Sequence, residues 1–189
     1  GLFLWVFKGD FNILNAGFAD LNAFFFIAPW ILLFLIPAIT MKSFADEFSS
    51  GTIETLKTKP ITEWQIVLGK FFAALLLFMV ALLPTLTYVY TINKLGNPVG
   101  NLDMGSTTGS YLGLLFLAAT YTAIGLFTST FSKNQIIAFL LAICITFFVF
   151  YGFDALATLF PNSYYELQNL GIIEHFKSIS RGVIDTADL

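Results

Sequence analysis

The residues that most often carry catalysis or bind metals are scarce in this chain. It has one histidine, His175, and one cysteine, Cys144, which lies inside an apolar run. Neither has a neighbouring histidine or cysteine with which to bind a metal ion. The stretch Gly105–Gly109 superficially resembles a phosphate-binding loop, but no lysine follows it. We therefore predict no catalytic residue, no metal site and no cofactor.

The charged residues, by contrast, are concentrated in one stretch of the chain. Eight of the 21 charged residues (9 basic and 12 acidic) lie between residues 40 and 70, with long apolar runs on both sides. We call residues 42–65 the polar segment, and we expect it to be a loop with short helices at one face of a membrane. The eight residues are Lys42, Asp46, Glu47, Glu54, Lys57, Lys59, Glu63 and Lys70.

Short helices are predicted within the polar segment from its capping residues. Ser43 and Thr52 are both good N-cap residues, and Gly51 between them interrupts the helical pattern. The residue before Pro60 is disfavoured in the α conformation, so the second helix should end there. Thr62 is then expected to cap a helix that continues into the next apolar run.

The composition indicates that most of this chain is surrounded by lipid. It is 57% hydrophobic and 11% charged, whereas a soluble domain usually carries about 25% charged residues. A helix crosses the bilayer core with roughly 20 apolar residues. We predict an all-α fold, a polytopic transmembrane helical bundle that forms one domain over residues 1–189. Complete spans are predicted at 21–41, 71–92, 109–131 and 135–153, with residues 1–7 as the end of an earlier span.

The distribution of lysine and arginine predicts how the bundle is oriented. Residues 42–70 and 132–134 lie on one side and together carry five basic residues, whereas loops 8–22 and 93–108 carry only Lys8 and Lys94. Basic loops remain in the cytoplasm. The polar segment should therefore face the cytoplasm, and residues 154–189 should be extracytoplasmic. The net charge of −3 and the absence of a basic patch predict no nucleic-acid partner.

Two uses of the polar segment remain open from the residues alone. Its apolar side chains could enter the groove of a soluble partner, with acidic residues at the rim. Equally, its helices could lie on the lipid surface. No ionisable residue lies deep in a predicted span, which argues against an ion-coupled secondary carrier. The apolar side chains in question are Phe44, Phe48, Ile53 and Leu56.

A resemblance favours the first of these uses. The order and spacing of Ser43–Glu47, Gly51–Glu54, Lys59–Pro60 and Trp64–Lys70 resemble the region after the second span of ABC-2 type permeases, the membrane subunits of ATP-binding-cassette exporters. Such permeases have six spans with both termini in the cytoplasm. The resemblance therefore implies that the first span begins before residue 1 and that a sixth follows residue 189. Residues 95–106 and 178–185 further resemble the gliding-motility-associated permeases of Bacteroidetes.

The resemblance also implies a function and its partners. The chain would be the permease subunit of an exporter in the bacterial inner membrane, working with a cytoplasmic ABC ATPase and a second permease subunit, identical or paralogous. ATP hydrolysis would belong to the ATPase, so the chain itself would not be an enzyme. A membrane scaffold that anchors an ATPase or motility machinery without transport is the alternative. The residues expected to couple the permease to the ATPase are Asp46, Glu47, Gly51, Thr52, Glu54, Leu56 and Pro60.

Overall fold

A computed structural model describes residues 21–96, 100–160, 168 and 171–180 of the chain. Within these residues the structure consists of α-helices with two short irregular turns, and it has no strand. The helices are α1 (Asn22–Thr40), α2 (Lys42–Ser50), α3 (Thr52–Lys57), α4 (Glu63–Leu82), α5 (Leu86–Leu95), α6 (Met104–Ser129), α7 (Gln135–Phe147), α8 (Phe153–Leu159) and α9 (Ile172–Ser180).

Four helical stretches are long and apolar enough to cross a membrane. They are Asn22–Ser50, Glu63–Leu95, Met104–Ser129 and Gln135–Leu159. This confirms the predicted all-α polytopic fold and its four spans. The helices extend beyond the predicted spans, because α4 begins at Glu63 rather than at residue 71 and α6 begins at Met104 rather than at residue 109.

The early start of α6 is explained by the polar side chains at its first turns. The Asp103 carboxylate accepts a hydrogen bond from the Ser106 backbone N–H at 3.0 Å and so caps the helix. The hydroxyls of Thr107 and Thr108 donate to the carbonyl oxygens of Asp103 and Met104, each at 2.7 Å. A stretch rich in glycine, serine and threonine, which we expected to be a loop, is therefore helical.

One of the three predicted caps in the polar segment is present. Thr62 forms a capping box with Gln65, since each side chain bonds the other's backbone N–H. The predictions for Ser43 and Thr52 were wrong. Helix α1 passes into α2 with Met41 still in helical conformation, so there is no helix N-terminus at Ser43 for its side chain to cap. Gly51, not Thr52, occupies the N-cap position of α3.

Two irregular turns interrupt the second and fourth spans. Leu83–Thr85 is a 3₁₀ turn, and it contains Pro84, which has no backbone N–H to donate to a helical hydrogen bond. The Thr85 hydroxyl donates to the Leu82 carbonyl at 2.6 Å and also lies 3.0 Å from the Tyr111 hydroxyl of α6. Phe148–Gly152 is a π-helical turn that joins α7 to α8.

Helix α6 is the centre of the bundle. In its apolar stretch 56% of the residues are buried, compared with 17% in the stretch formed by α4 and α5 and 22% in the stretch formed by α7 and α8. Leu114, Ala118 and Tyr121 on α6 are fully buried in a cluster with side chains of α1, α4 and α9. The less buried spans present long apolar faces outward, as expected of helices that contact lipid or another membrane subunit.

The spans alternate in direction, which gives the bundle two distinct ends. The end of α1, the start of α4, the end of α6 and the start of α7 meet at what we call the polar end, formed by residues 41–62 and 130–134. The start of α6 and α9 meet at the opposite end, where the Ser106 hydroxyl donates to the Ser180 carbonyl at 2.7 Å. There Phe176 of α9 packs against Gly113 of α6.

Gly125 provides a test of the contact between α1 and α6. A Cβ atom at this position would lie 2.0 Å from the Thr40 hydroxyl oxygen and 2.9 Å from its Cβ atom, and Thr40 is fully buried. We expect Gly125→Ala to lower the free energy of unfolding by about 1 to 3 kcal/mol, because a packed interface must open to admit the methyl group. The measurement is the midpoint of thermal unfolding in mild detergent.

Gly69→Ala is the matched control, because a Cβ atom there meets no atom within 4 Å. Gly69 lies inside α4, where alanine favours the helix, so this variant should be as stable as the parent chain or slightly more stable. Equal midpoints for Gly125→Ala and the parent would contradict the close approach of α1 and α6.

Candidate coupling site

Helix α2 is seated on the polar end of the bundle. Phe44 and Ala45, with 7% and 0% of their surfaces exposed, face inward, while Ser49 and Ser50 are exposed. The buried face contacts α6 and α7 as well as the neighbouring α1. The expectation that Phe44 is exposed to a partner was therefore wrong. The alternation of apolar and polar residues in this helix serves to pack it against the bundle.

Lys70 connects α2 to α4. Its Nζ atom lies 2.5 Å from the Glu47 Oε1 atom, and it also donates to the Ser43 carbonyl oxygen. The same ammonium group lies 4.6 Å from the centre of the Phe44 ring, within the range of a cation–π contact. The Lys70 and Glu47 side chains are 21% and 26% exposed. Partial removal from water strengthens their attraction relative to a fully solvated pair.

Asp46 connects α2 to α7. Its carboxylate accepts a hydrogen bond from the Gln135 side-chain amide at the first residue of α7. Its backbone carbonyl oxygen accepts from the hydroxyls of Ser49 and Ser50 at 3.0 and 2.7 Å, which satisfies a group at the end of α2. Two adjacent acidic residues thus bind two different membrane spans.

Helix α3 projects from this anchored base. The chain turns at Gly51, whose φ of 73° lies in the left-handed region that favours glycine. Helix α3 packs on α2, and Thr52 and Glu54 are exposed, as is Pro60 in the return to α4. Leu56 is half-buried. Of the seven residues expected to couple to an ATPase, Asp46 and Glu47 therefore face the bundle, Gly51 forms the turn, and the other four follow it.

Lys70 and Gln135 take part in this site but were not among the candidate residues. A signal for Lys70 was available, because a lysine within an apolar helix near the membrane requires a partner. Gln135 had no such signal, since a polar residue at the start of a helix is ordinary. Its partner, Asp46, is separated from it by 89 residues.

The described residues contain no cluster of potential metal ligands, since no group of three or more histidine, cysteine, aspartate or glutamate side chains among them could hold a metal ion. A cavity of about 190 Å³ lies towards the opposite end, and its lining includes the aromatic side chains of Phe25, Trp30, Phe150 and Phe176.

Comparison with known protein families assigns this architecture. A family model described as "ABC-2 family transporter protein" matches residues 8–179, which is most of the chain. The chain belongs to the ABC-2 transporter family. No curated protein and no solved structure gives a significant match. The ABC-2 permease is the membrane component of such transporters, and the ATPase activity of these systems resides in a separate subunit.

The turn at Gly51 provides a test of how α3 is held. Alanine at a left-handed position costs about 1 kcal/mol or more, whereas asparagine tolerates it better. We expect Gly51→Ala to loosen the turn, so that trypsin cleaves the permease after Lys57, at the end of α3, about fivefold faster, the factor that corresponds to about 1 kcal/mol. Gly51→Asn should be cleaved at nearly the parent rate. Equal acceleration by both substitutions would contradict a role for the left-handed turn.

Proposed function

We propose that this ABC-2 permease is the membrane-spanning subunit of an exporter in the bacterial inner membrane, and that α3 with the turns beside it binds a cytoplasmic ABC ATPase. The observation that carries this proposal is the division of the polar segment at Gly51. Helix α2 is bound to the bundle through Phe44 and Glu47, whereas α3 extends into solvent. A short exposed helix on an anchored base is suited to receive force from a soluble partner.

The side chains of α3 and of the chain between α3 and α4 define the chemistry of the proposed contact with the ATPase. Glu54 lies in the first turn of α3 and is exposed, so it can pair with a basic group of the ATPase in a charge-assisted hydrogen bond. Leu56 is half-buried and can add apolar contact at the same place. Pro60 restricts the chain that returns to Thr62, where the capping box starts α4.

The distribution of charge supports a cytoplasmic position for the polar end. Lys42, Lys59 and Lys133 lie at this end, whereas Lys94 lies at the end of α5 near the opposite side. Because basic residues near the ends of spans are retained in the cytoplasm, α3 would be accessible to a soluble ATPase there. The α9 region would then be extracytoplasmic.

A second permease subunit, identical or paralogous, is expected beside the least buried spans. Large apolar side chains on α4 are more than half exposed, as shown by Phe72 at 61%, Leu76 at 61% and Val80 at 55%. Such a surface requires lipid or another apolar helix against it. Two permease subunits facing each other would enclose the export path between them.

The resemblance to gliding-motility permeases motivates a narrower proposal, that the exporter supports this form of bacterial movement. The two stretches that carry the resemblance, 95–106 and 178–185, approach each other through the hydrogen bond between Ser106 and Ser180. Residues 97–99 and 181–185 of these stretches lie outside the described residues. Loss of gliding on deletion of the permease, restored by a plasmid copy, would support the narrower proposal.

A scaffold without transport activity is the alternative. Both functions require an ATPase to bind the permease, but an exporter must also link hydrolysis to its cargo. Stimulation of ATP hydrolysis by candidate cargo in the purified complex would favour an exporter. An ATPase rate unaffected by any fraction of the native envelope would favour the scaffold.

The orientation can be tested with single cysteines in a chain that carries Cys144→Ala. Ser49 is exposed at the polar end and Asn101 is exposed at the opposite end. We expect a membrane-impermeant thiol reagent to label Ser49→Cys only from the cytoplasmic side and Asn101→Cys only from outside. The measurement is labelling of intact cells against inverted vesicles. Labelling of Ser49→Cys in intact cells would overturn the orientation.

The docking surface can be tested by reversing the exposed charge of α3. We expect Glu54→Lys to reduce recovery of the ATPase about tenfold or more when the full-length permease is purified in mild detergent, because a charge-assisted contact is replaced by repulsion. Replacing Thr52–Lys57 with a glycine–serine linker of equal length should abolish recovery. Mass spectrometry of the purified complex identifies and quantifies the ATPase.

Glu63→Lys is the control for net charge, since Glu63 is also exposed but lies in α4, beyond the proposed contact. This variant should recover the ATPase at the parent level. If Glu54→Lys and the linker variant both retain the ATPase, then α3 is not the docking surface. If the parent chain itself recovers no ATPase, the proposed function is wrong.

A further inference from the structure

The anchored half of the polar segment has a property that docking alone does not require. Through side chains, α2 is joined to two spans that are distant from it in sequence. Glu47 pairs with Lys70 of α4, and Asp46 accepts a hydrogen bond from Gln135 of α7. The inference that follows rests on the proposed function, because it concerns what happens after an ATPase binds α3.

We propose that Glu47–Lys70 and Asp46–Gln135 form a two-armed polar linkage that transmits displacement of α3 to α4 and α7. In this assignment Asp46 and Glu47 are positioning residues of the permease rather than contacts to the ATPase. Lys70 and Gln135 are their counterparts on the spans. The ATPase would push or pull at α3, and the two arms would carry this movement into the bundle.

Helical geometry explains why one short helix can engage two spans. Consecutive residues in an α-helix point about 100° apart, so Asp46 and Glu47 reach in different directions from the same turn. Phe44 and Ala45 lie one turn or less before them and fill the space between α2 and the bundle. The apolar contact fixes the position of α2, and the polar arms fix which spans follow it.

The Lys70 arm is suited to bear load because the ion pair is shielded. The second carboxylate oxygen of Glu47, Oε2, is buried and has no hydrogen-bond partner among the described residues. The charge of Glu47 is therefore balanced chiefly by Lys70, whose three donors are shared with the Ser43 carbonyl. Pulling the pair apart would leave a poorly solvated charge on each side, which is costly. Helix α4 should thus move with α2.

The Gln135 arm acts on a helix start that is itself fixed. Asn134 caps α7, since its side-chain oxygen accepts from the Ile136 backbone N–H at 2.9 Å, and the Ser132 hydroxyl accepts from the Asn134 N–H at 3.0 Å. A pull on Gln135 is therefore transmitted to the helix rather than absorbed by a loose terminus. Helix α7 leads to the π-helical turn at Phe148–Gly152, a form of helix that often occurs at functional sites.

The linkage is tested in the complex of full-length permease and ATPase in native-membrane vesicles, with a reporter at the opposite end. The reporter is the thiol-labelling rate of Asn101→Cys in a Cys144→Ala chain, compared between nucleotide-free vesicles and vesicles trapped with ATP and vanadate. The parent chain should show a nucleotide-dependent change in this rate. Lys70→Glu and Glu47→Lys should each bring the ratio of the two rates close to one while the ATPase still co-purifies.

Restoration by charge exchange distinguishes transmission from a general loss of structure. The double variant Glu47→Lys with Lys70→Glu should recover at least half of the parent's change. Gln135→Ala removes the second arm without burying a charge, so it should fold normally and yet reduce the change. Lys177→Glu breaks the comparable 2.6 Å pair with Glu174 on α9 and should leave the change intact.

The outcomes separate this inference from the proposed function. If no ATPase co-purifies with the parent chain, the proposed function fails. If it co-purifies but the single variants and Gln135→Ala keep the parent's ratio, the linkage is wrong and docking stands. The linkage is also wrong if the parent shows no nucleotide-dependent change, or if the exchanged pair leaves the ratio close to one.

Discussion

The structure depends on one constraint imposed by lipid, that backbone polar groups must find their partners within the chain. Inside hydrocarbon, an N–H or carbonyl group has no water to bind, so each span must satisfy its backbone groups internally, as a helix does. Several hydroxyls along the spans follow the same rule. Thr40 donates to the Ile36 carbonyl at 2.9 Å, and Ser129 donates to the Leu126 carbonyl at 2.7 Å. These two buried hydroxyls thus bond within their own helices, and α1 and α6 associate through close packing at Gly125.

Packing of this kind requires close approach, and α6 provides it. Gly113 admits the Phe176 ring and Gly125 admits Thr40, so that α9 and α1 both lie against the same helix. Neighbouring helices in a membrane have no hydrophobic drive to associate, so they depend on close packing, which small residues allow. Helix α6 is therefore the most enclosed span, whereas α4 and α7, the two spans that α2 contacts through Glu47 and Asp46, are less buried.

The sequence predicted the features that the lipid environment determines better than those that depend on contacts between residues distant in the chain. Apolar runs predicted the four spans, because few other arrangements satisfy the backbone in a membrane. The Thr62 cap was predictable from local chemistry, whereas the Ser43 cap failed because α1 continues through Met41. Charge density identified the polar segment. The inward direction of Asp46 and Glu47 was not predictable, since their partners lie 89 and 23 residues away.

In the proposed linkage, the partial burial of the Lys70–Glu47 pair is what would allow a charged contact to carry force at the end of the spans. Charges that are fully in water are screened and exchange partners freely, so they hold little force. Charges deep in hydrocarbon are costly enough to prevent insertion of the helix. At about one-fifth to one-quarter exposure, the pair lies between these limits, and its attraction is strong while both ions remain tolerable. If α3 binds a separate ATPase subunit, as proposed, the permease would need a connection of this strength where this solvent-exposed helix meets its spans.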